Sequence, residues 1–268
     1  MCTLRGRFKK ERFTLFVGDE VEYESTGQQN GIIEHIVPRR SMLKRPMVAN
    51  VDQVILTFAA SNPDINPVLI DRFLVIAESS SLDIVLCINK IDLANIDEIT
   101  PIIELYRQIG YRVISISAKS STGIDKLKNE LYGRISVFAG PSGVGKSTIL
   151  NTLEPGLELN TGKVSEKIGR GKHTTRFAEL LPISGGGFVV DTPGFSFTDF
   201  TDIPPTELMY YFREIEELAP QCKFSSCLHN KEPQCAVKQA VSDGSINEQR
   251  YTSYQEILQE IQQYKKGF

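Results

Sequence analysis

No stretch of this chain approaches the ~18 consecutive apolar residues needed to span a bilayer. Its first residues, MCTLRGRFKKERF, carry charge throughout and lack the apolar core of a secretory signal. Positive charge is not in surplus: 30 Lys and Arg stand against 33 Asp and Glu, a net charge of −3. That gives no overall sign of nucleic-acid binding, so any basic surface must be local. Cysteine is too scarce and too uneven for a disulfide framework. There are five, an odd number, and three crowd into residues 222–235, which favours a metal site in a reducing compartment. At 268 residues, 41% hydrophobic and 24% charged, the chain has the composition of a globular protein with room for more than one domain. A soluble, cytoplasmic protein with no membrane attachment is expected.

Residues 1–48 read as short strands around a turn at Gly18-Asp19 and a polar hairpin loop, STGQQN, which suggests a small β-barrel. This segment holds nine Lys/Arg (Arg5, Arg7, Lys9, Lys10, Arg12, Arg39, Arg40, Lys44, Arg45) against six acids, a local net of +3. Beyond it the texture changes. VDQVILTFAA, LDIVLCINK, YRVISIS and RISVFAG read as strands, with PVLIDRFLVIAESS, ITPIIELYRQIG and STILNTL as helices. Alternation of this kind points to a mostly parallel α/β sheet covered on both faces. Residues 154–172 read as a mobile glycine-bearing loop, and RFAELLPI, GGG and FVVDTPG as a β-hairpin. After about residue 203 the chain turns helical and cysteine-rich. The expected parts are therefore 1–48, 49–203 and 204–268.

Residues 140–147, GPSGVGKS, fit the phosphate-loop pattern between a strand and a helix. In the loop Gly140, Pro141, Ser142, Gly143, Val144 and Gly145, the glycines would let backbone N–H groups, all but that of Pro141, which has none, turn toward a β-phosphate, aided by the positive end of the helix that continues through Thr148. Lys146 would neutralise the β- and γ-phosphates, and the Ser147 hydroxyl would ligate Mg²⁺. NKID, at 89–92, supplies the base reader. The Asp92 carboxylate can accept two hydrogen bonds from guanine, whereas adenine has no such donor pair and would leave it unpaired. Asn89 would hold the loop and Lys90 would lay its stem along the purine. SAK follows the next strand. Its Ala118 N–H would meet the base carbonyl, between Ser117 and Lys119. DTPG, at 191–194, adds Asp191 near Mg²⁺ and the Gly194 N–H at the γ-phosphate. Thr174 and Thr175 are candidates for a second hydroxyl on the metal, with Thr175 preferred. The elements of a GTPase are thus present in a circularly permuted order. That order sends the switch loops straight into the C-terminal segment.

Cys222, Cys227, His229 and Cys235 form C-x₄-C-x-H-x₅-C, three thiolates and an imidazole. This is the composition of a closed, structural zinc site. Cys87 reads as a packed thiol in an apolar strand, and His35 as a strand residue of no special role. Tyr251, Tyr254, Leu258, Ile261 and Tyr264 recur at helical spacing, which suggests a docked helix.

NKID, SAK, GPSGVGKS, GRGKHTTR, DTPG and the cysteine cluster together make the chain resemble the RsgA family, circularly permuted GTPases that assist small ribosomal subunit biogenesis. The resemblance covers nearly the whole chain. It implies an N-terminal OB-fold region and a C-terminal zinc domain that bracket the GTPase domain. It also implies contact with the 30S subunit and its rRNA, GTP and GDP as ligands, and stimulation by the particle. A monomer is expected. The family's OB domain normally starts with an additional strand, whereas this chain begins at MCTLRGRF, so the first strand of the barrel is the element in question. Phe195 occupies the position where many GTPases carry a water-orienting Gln. His173, in GKHTT, is the internal candidate to take over that role. The alternative is an RNA-binding assembly module that uses GTP occupancy as a sensor with little turnover.

Overall fold

The structure is a computed structural model, and it describes residues 2–4, 14–27, 30–44, 47–157, 178–191, 200 and 202–266. The N-terminal part holds β1 (Cys2–Leu4), β2 (Val21–Gly27) and β3 (Asn30–Ile36) in the order β1-β3-β2, together with a hairpin of β4 (Met42–Lys44) and β5 (Met47–Ala49). Val17 bridges to Val48 and ties the two pieces together. Gly18 is required here, since a Cβ would lie 2.1 Å from the Ala49 carbonyl oxygen. Arg39 and Arg40, two of the local basic residues, are already engaged by carboxylates. Arg39 forks onto Asp19 at 2.6 and 2.9 Å, and Arg40 reaches Asp52 at 2.8 Å. Arg5, Arg7, Lys9, Lys10, Arg12 and Arg45 lie outside the described residues.

The central sheet has six strands. β6 (Gln53–Ala59), β7 (Asp83–Asn89), β8 (Arg112–Ser115), β9 (Ile135–Ala139) and β11 (Phe188–Asp191) run parallel, and β10 (Glu179–Pro182) pairs antiparallel with β11 at one edge. The order is β10-β11-β9-β6-β7-β8. Period-two alternation sorts the continuous apolar runs onto two faces. Val54, Leu56 and Phe58 face one side with Ile84, Leu86 and Ile88, and pack on α1 (Pro67–Ser79) and α2 (Ile96–Gln108). Ile55, Val85 and Cys87 face the other side and pack on α3 (Ile124–Leu131) and α4 (Lys146–Leu153). Burial pushes the Cys87 thiol up to about 12, in keeping with a packing role. Leu43 and Val48 share the first of these cores, so the N-terminal hairpin sits directly on the sheet domain.

Two helices depart from expectation. α2 starts at Ile96 rather than Ile99, because the Asn95 side chain caps it by accepting from the Asp97 N–H at 3.1 Å; Pro101 is tolerated inside. α3 was not expected. It follows Gly123, where a Cβ would stand 2.6 Å from the Ser115 carbonyl oxygen, and buries Ile124, Leu127 and Leu131.

The C-terminal part is built from α5 (Arg213–Leu218), α6 (Ala236–Ser242) and α7 (Glu248–Lys266) around a third core that includes Phe200, Phe212, Val237, Tyr254, Leu258 and Ile261. Val75 of α1 belongs to this core, which joins it to the sheet domain. Tyr254, Leu258 and Ile261 are buried as the helical spacing predicts, whereas Tyr264 is exposed. Among the described residues, no helix is long and apolar enough to cross a membrane.

Candidate functional site

The loops that follow β9, β7 and β8 gather at the C-terminal edge of the parallel sheet, where ligands bind in such folds. The loop after β9 carries GPSGVGKS into α4. It lies tight against β6, since a Cβ on Gly140 would sit 2.0 Å from the Thr57 carbonyl oxygen. Gly145 opens α4 at φ 97°, and a Cβ there would stand 2.5 Å from Asn89 Nδ2. Both glycines are therefore fixed by contact as well as by conformation. The Lys146 ammonium bends back over this loop and donates to the Gly140 and Pro141 carbonyls, each at 2.7 Å. Burial lowers its pKa, as expected for an ammonium held out of water. Val144 is buried, while Ser142, Gly143 and Thr148 are exposed and Ser147 is half-buried.

Asn89 closes β7 and is buried. Its Nδ2 donates to the Val144 carbonyl at 2.9 Å, and its Oδ1 accepts from the Ala118 N–H at 3.1 Å. One side chain thus fastens the phosphate loop to the SAK loop. The expected partner of the Ala118 N–H was a base carbonyl, so a bound guanine has to share that donor with Asn89. Lys90, at φ 62°, donates to the Gly143 carbonyl at 2.7 Å and to the Asn62 carbonyl. Asp92 and Lys119 are exposed beside it, and Ser117 is buried. Thr152 of α4 donates to the Ala118 carbonyl at 3.2 Å, a second tie between the phosphate-loop helix and the SAK loop. Asp191 ends β11, parallel to β9 in the register Val190↔Val137, which brings its backbone to the same end of the sheet. His173, Thr174, Thr175, Gly194 and Phe195 lie outside the described residues.

A second cluster lies in the C-terminal part. The ligand atoms of Cys222, Cys227, His229 and Cys235 all fall within 4.8 Å of one another. Cys222 and Cys235 sulfurs are 3.8 Å apart, and each lies 3.5 Å from His229 Nδ1. A tetrahedral shell with metal–ligand bonds of about 2.0–2.3 Å has edges of roughly 3.5–3.8 Å. The cluster therefore fits a four-coordinate metal ion, with Nδ1 as the imidazole donor. Burial pushes the Cys227 thiol up to about 12, so its thiolate forms with a cation at hand rather than alone. Outer contacts orient the ligands. His229 Nε2 lies 3.4 Å from Met209 Sδ, and Glu232 accepts from the Leu228 and Asn230 N–H groups, both at 2.9 Å. Tyr251 and Tyr254 donate to the His229 and Leu228 carbonyls at 2.7 and 3.1 Å.

Phosphate loop, base-reading loops and sheet order together define a circularly permuted P-loop GTPase with an OB-like N-terminal part and a helical C-terminal part built on a Cys₃His cluster. The RsgA GTPase family model matches residues 36–201 and the RsgA N-terminal domain model matches residues 1–33. The chain belongs to the RsgA GTPase family, whose members hydrolyse GTP. It is 47% identical over 265 residues to the small ribosomal subunit biogenesis GTPase RsgA of Caldanaerobacter subterraneus subsp. tengcongensis, covering 99% of this chain and 90% of the relative. It is 48% identical over 267 residues to the protein of the same name from Moorella thermoacetica, covering 100% and 92%. Among solved structures it is similar to YjeQ from Thermotoga maritima, with a TM-score of 0.84 and 42% identity over 97% of this chain and 89% of that one. It is also similar to YloQ, a circularly permuted GTPase, with a TM-score of 0.82 and 41% identity over 98% and 86%.

Proposed function

We propose that this chain hydrolyses GTP on the small ribosomal subunit in the cytoplasm and assists the subunit's late maturation. The observation that carries the reading is the double hydrogen bond of Asn89, which brings the phosphate loop and both base-reading loops to one edge of the sheet. The relatives are small ribosomal subunit biogenesis GTPases, which supports the choice of partner. Residues 140–148 hold the phosphates, with Lys146 countering their charge. Asn89, Lys90, Asp92, Ser117, Ala118 and Lys119 hold guanine. Ser147, Asp191 and Thr175 hold the Mg²⁺ that comes with the nucleotide, and the Gly194 N–H meets the γ-phosphate. Magnesium supplies charge neutralisation to the transferring phosphoryl group. The C-terminal cluster holds one zinc ion with no open position, so its role is to fold the knuckle around residues 222–235. The chain works as a monomer in three parts, 1–48, 49–203 and 204–268, with the first part facing rRNA.

Multiple-turnover phosphate release, measured with and without purified 30S subunits, tests this reading. Slow turnover alone and faster turnover with the subunit are expected. Tight GTP binding without turnover in either condition would favour the assembly module that senses occupancy, a reading to which Phe195 lends weight.

A further inference from the structure

Helix α1 reaches both sites. The segment leading into it, residues 60–66, starts where the Ala60 N–H donates to the Asn89 carbonyl at 2.8 Å. The Asn62 carbonyl then accepts from the Lys90 ammonium, whose other acceptor is Gly143 of the phosphate loop. Asn66 caps α1 by accepting from the Leu69 N–H at 3.2 Å. A base laid along the Lys90 stem therefore fixes a side chain that itself holds the segment leading into α1.

The other end of the connection is built from buried charge. Asp71, fully buried on α1, accepts from Tyr106 Oη at 2.7 Å, Gln249 Nε2 at 2.9 Å and Arg250 Nη1 at 2.6 Å. Arg250 is itself 1% exposed and turns its remaining nitrogens onto Glu214 at 2.6 and 3.0 Å. Further along α1, Arg72 forks onto Glu260 at 2.6 and 3.1 Å, and Glu78 accepts from Arg213 at 2.7 Å. A buried ion pair of this kind gains little over apolar packing. Its physical effect is orientation, because any slide of α7 along α1 strands an unpaired charge. The same stretch of α7 carries Tyr251, next to Arg250, and Tyr254, one turn on, which hold two carbonyls of the metal knuckle.

We propose that α1 and α7 act as one rigid unit that couples guanine-nucleotide occupancy to the position of the metal knuckle, through the Lys90–Asn62 contact at one end and the Asp71–Arg250 pair at the other. The inference rests on the proposed function for the identity of the nucleotide. It goes beyond that reading by naming a route that does not pass through the residues after β11. Coupling of this kind is reciprocal. Nucleotide tightens α7, and loosening the α1–α7 contact weakens the hold on nucleotide.

Two measurements on the full chain test it. Amide hydrogen exchange of α7 and residues 222–235 is compared without nucleotide, with GDP and with a non-hydrolysable GTP analogue. A slowing of about fivefold or more on nucleotide binding is expected. Release of fluorescent GDP is then timed from Arg72→Gln and Glu260→Gln, whose pair is partly exposed, unlike the buried Asp71–Arg250 pair, and can be broken without endangering the fold. Release several-fold faster than wild type is expected. Glu104→Gln breaks an exposed pair with Arg107 on α2 and should release at the wild-type rate. Unchanged exchange of α7 together with wild-type release from both variants would overturn the coupling while leaving the functional reading intact. A wild-type chain that bound no guanine nucleotide would overturn the functional reading, and the coupling with it.

Discussion

Asn89 Nδ2 donates to the Val144 carbonyl at 2.9 Å across a separation of 55 residues. The amide faces one acceptor and one donor at once, since its Oδ1 takes the Ala118 N–H. Asn89→Asp replaces the donor with an oxygen aimed at a carbonyl, in a buried position where neither group can turn to water. Leaving such groups unpaired costs about 1–3 kcal/mol, or roughly 5- to 150-fold in affinity. Both GTP and GDP should lose affinity by the same factor, because the defect lies under the loop and not at the γ-phosphate. Isothermal titration with both nucleotides checks it, and a loss confined to GTP would contradict the assignment.

Asp92 should behave differently. It is exposed at the mouth of the base loop and takes no part in holding the loops together through Asn89. Asp92→Asn removes one of the two acceptors that match guanine, so GTP affinity should fall on the order of 10- to 100-fold while ATP is unaffected. Competition titrations with the two nucleotides give the ratio directly. Unchanged GTP affinity would remove Asp92 from the guanine site.

The parts of the site that were legible are those whose chemistry is contiguous. Gly140, Gly145 and Lys146 announce themselves because a phosphate loop needs permissive backbone and a charge within a few residues. The cysteine cluster is similar, since four ligands in fourteen residues leave little other use for them. What stayed hidden spans long separations without local periodicity. Asn62 lies 28 residues from Lys90, Met209 lies 20 from His229, and Asp71 lies 179 from Arg250. No window of sequence links such pairs. Helix α3 did carry a signal in Ile124, Leu127 and Leu131. It was masked by the serine and glycine turn in front of it, whose Gly123 starts the helix rather than ending a loop.

Asp19 gives the N-terminal part an acid-sensitive contact. Burial alone would raise its carboxyl, but hydrogen bonds from Arg39 and the Phe16 N–H, with the charge of Arg39, carry it below its ordinary 3.8. A carboxyl depressed on folding adds stability that is fully present above pH 3.8 and fades as pH falls through the lower folded value. Asp19→Asn should therefore lower the unfolding temperature by a few degrees near neutrality. The gap to wild type should narrow only as the pH drops below the ordinary carboxyl range. Thermal unfolding followed across pH tests the sign. A gap of constant size would show that charge at Asp19 contributes nothing.

The metal cluster makes a separate prediction. Protein purified under reducing conditions should carry about one zinc per chain. Chelation would take away the ion that the four ligands are arranged to hold, and the knuckle carbonyls held by Tyr251 and Tyr254 would lose their fixed positions. Residues 222–235 should become exchange-labile while guanine nucleotide still binds, since the two sites share no ligand. Elemental analysis that finds no zinc would sink the assignment, and a chelated protein unable to bind nucleotide at all would show a dependence much deeper than a shift in release rate.

The remaining prediction concerns the attacking water. Phe195 cannot orient it, so another polar group has to enter the site or come from the subunit. His173 sits two residues before the preferred magnesium hydroxyl of Thr175. A neutral imidazole can accept from a water beside the γ-phosphate, and positioning or general-base roles are typically worth about 10²–10⁴-fold. The loop proposed to hold the phosphates is a different one, with Lys146 donating to its Gly140 carbonyl and its Gly140 and Gly145 packed against β6 and Asn89. Binding and chemistry should therefore separate. His173→Ala should keep GTP affinity within about twofold of wild type while subunit-stimulated hydrolysis falls by about 10²-fold or more. Single-turnover hydrolysis at saturating 30S subunit isolates the chemical step from product release. If the variant turned over at the wild-type rate under those conditions, His173 would be excluded, and the group that orients water would have to be supplied by the ribosomal particle.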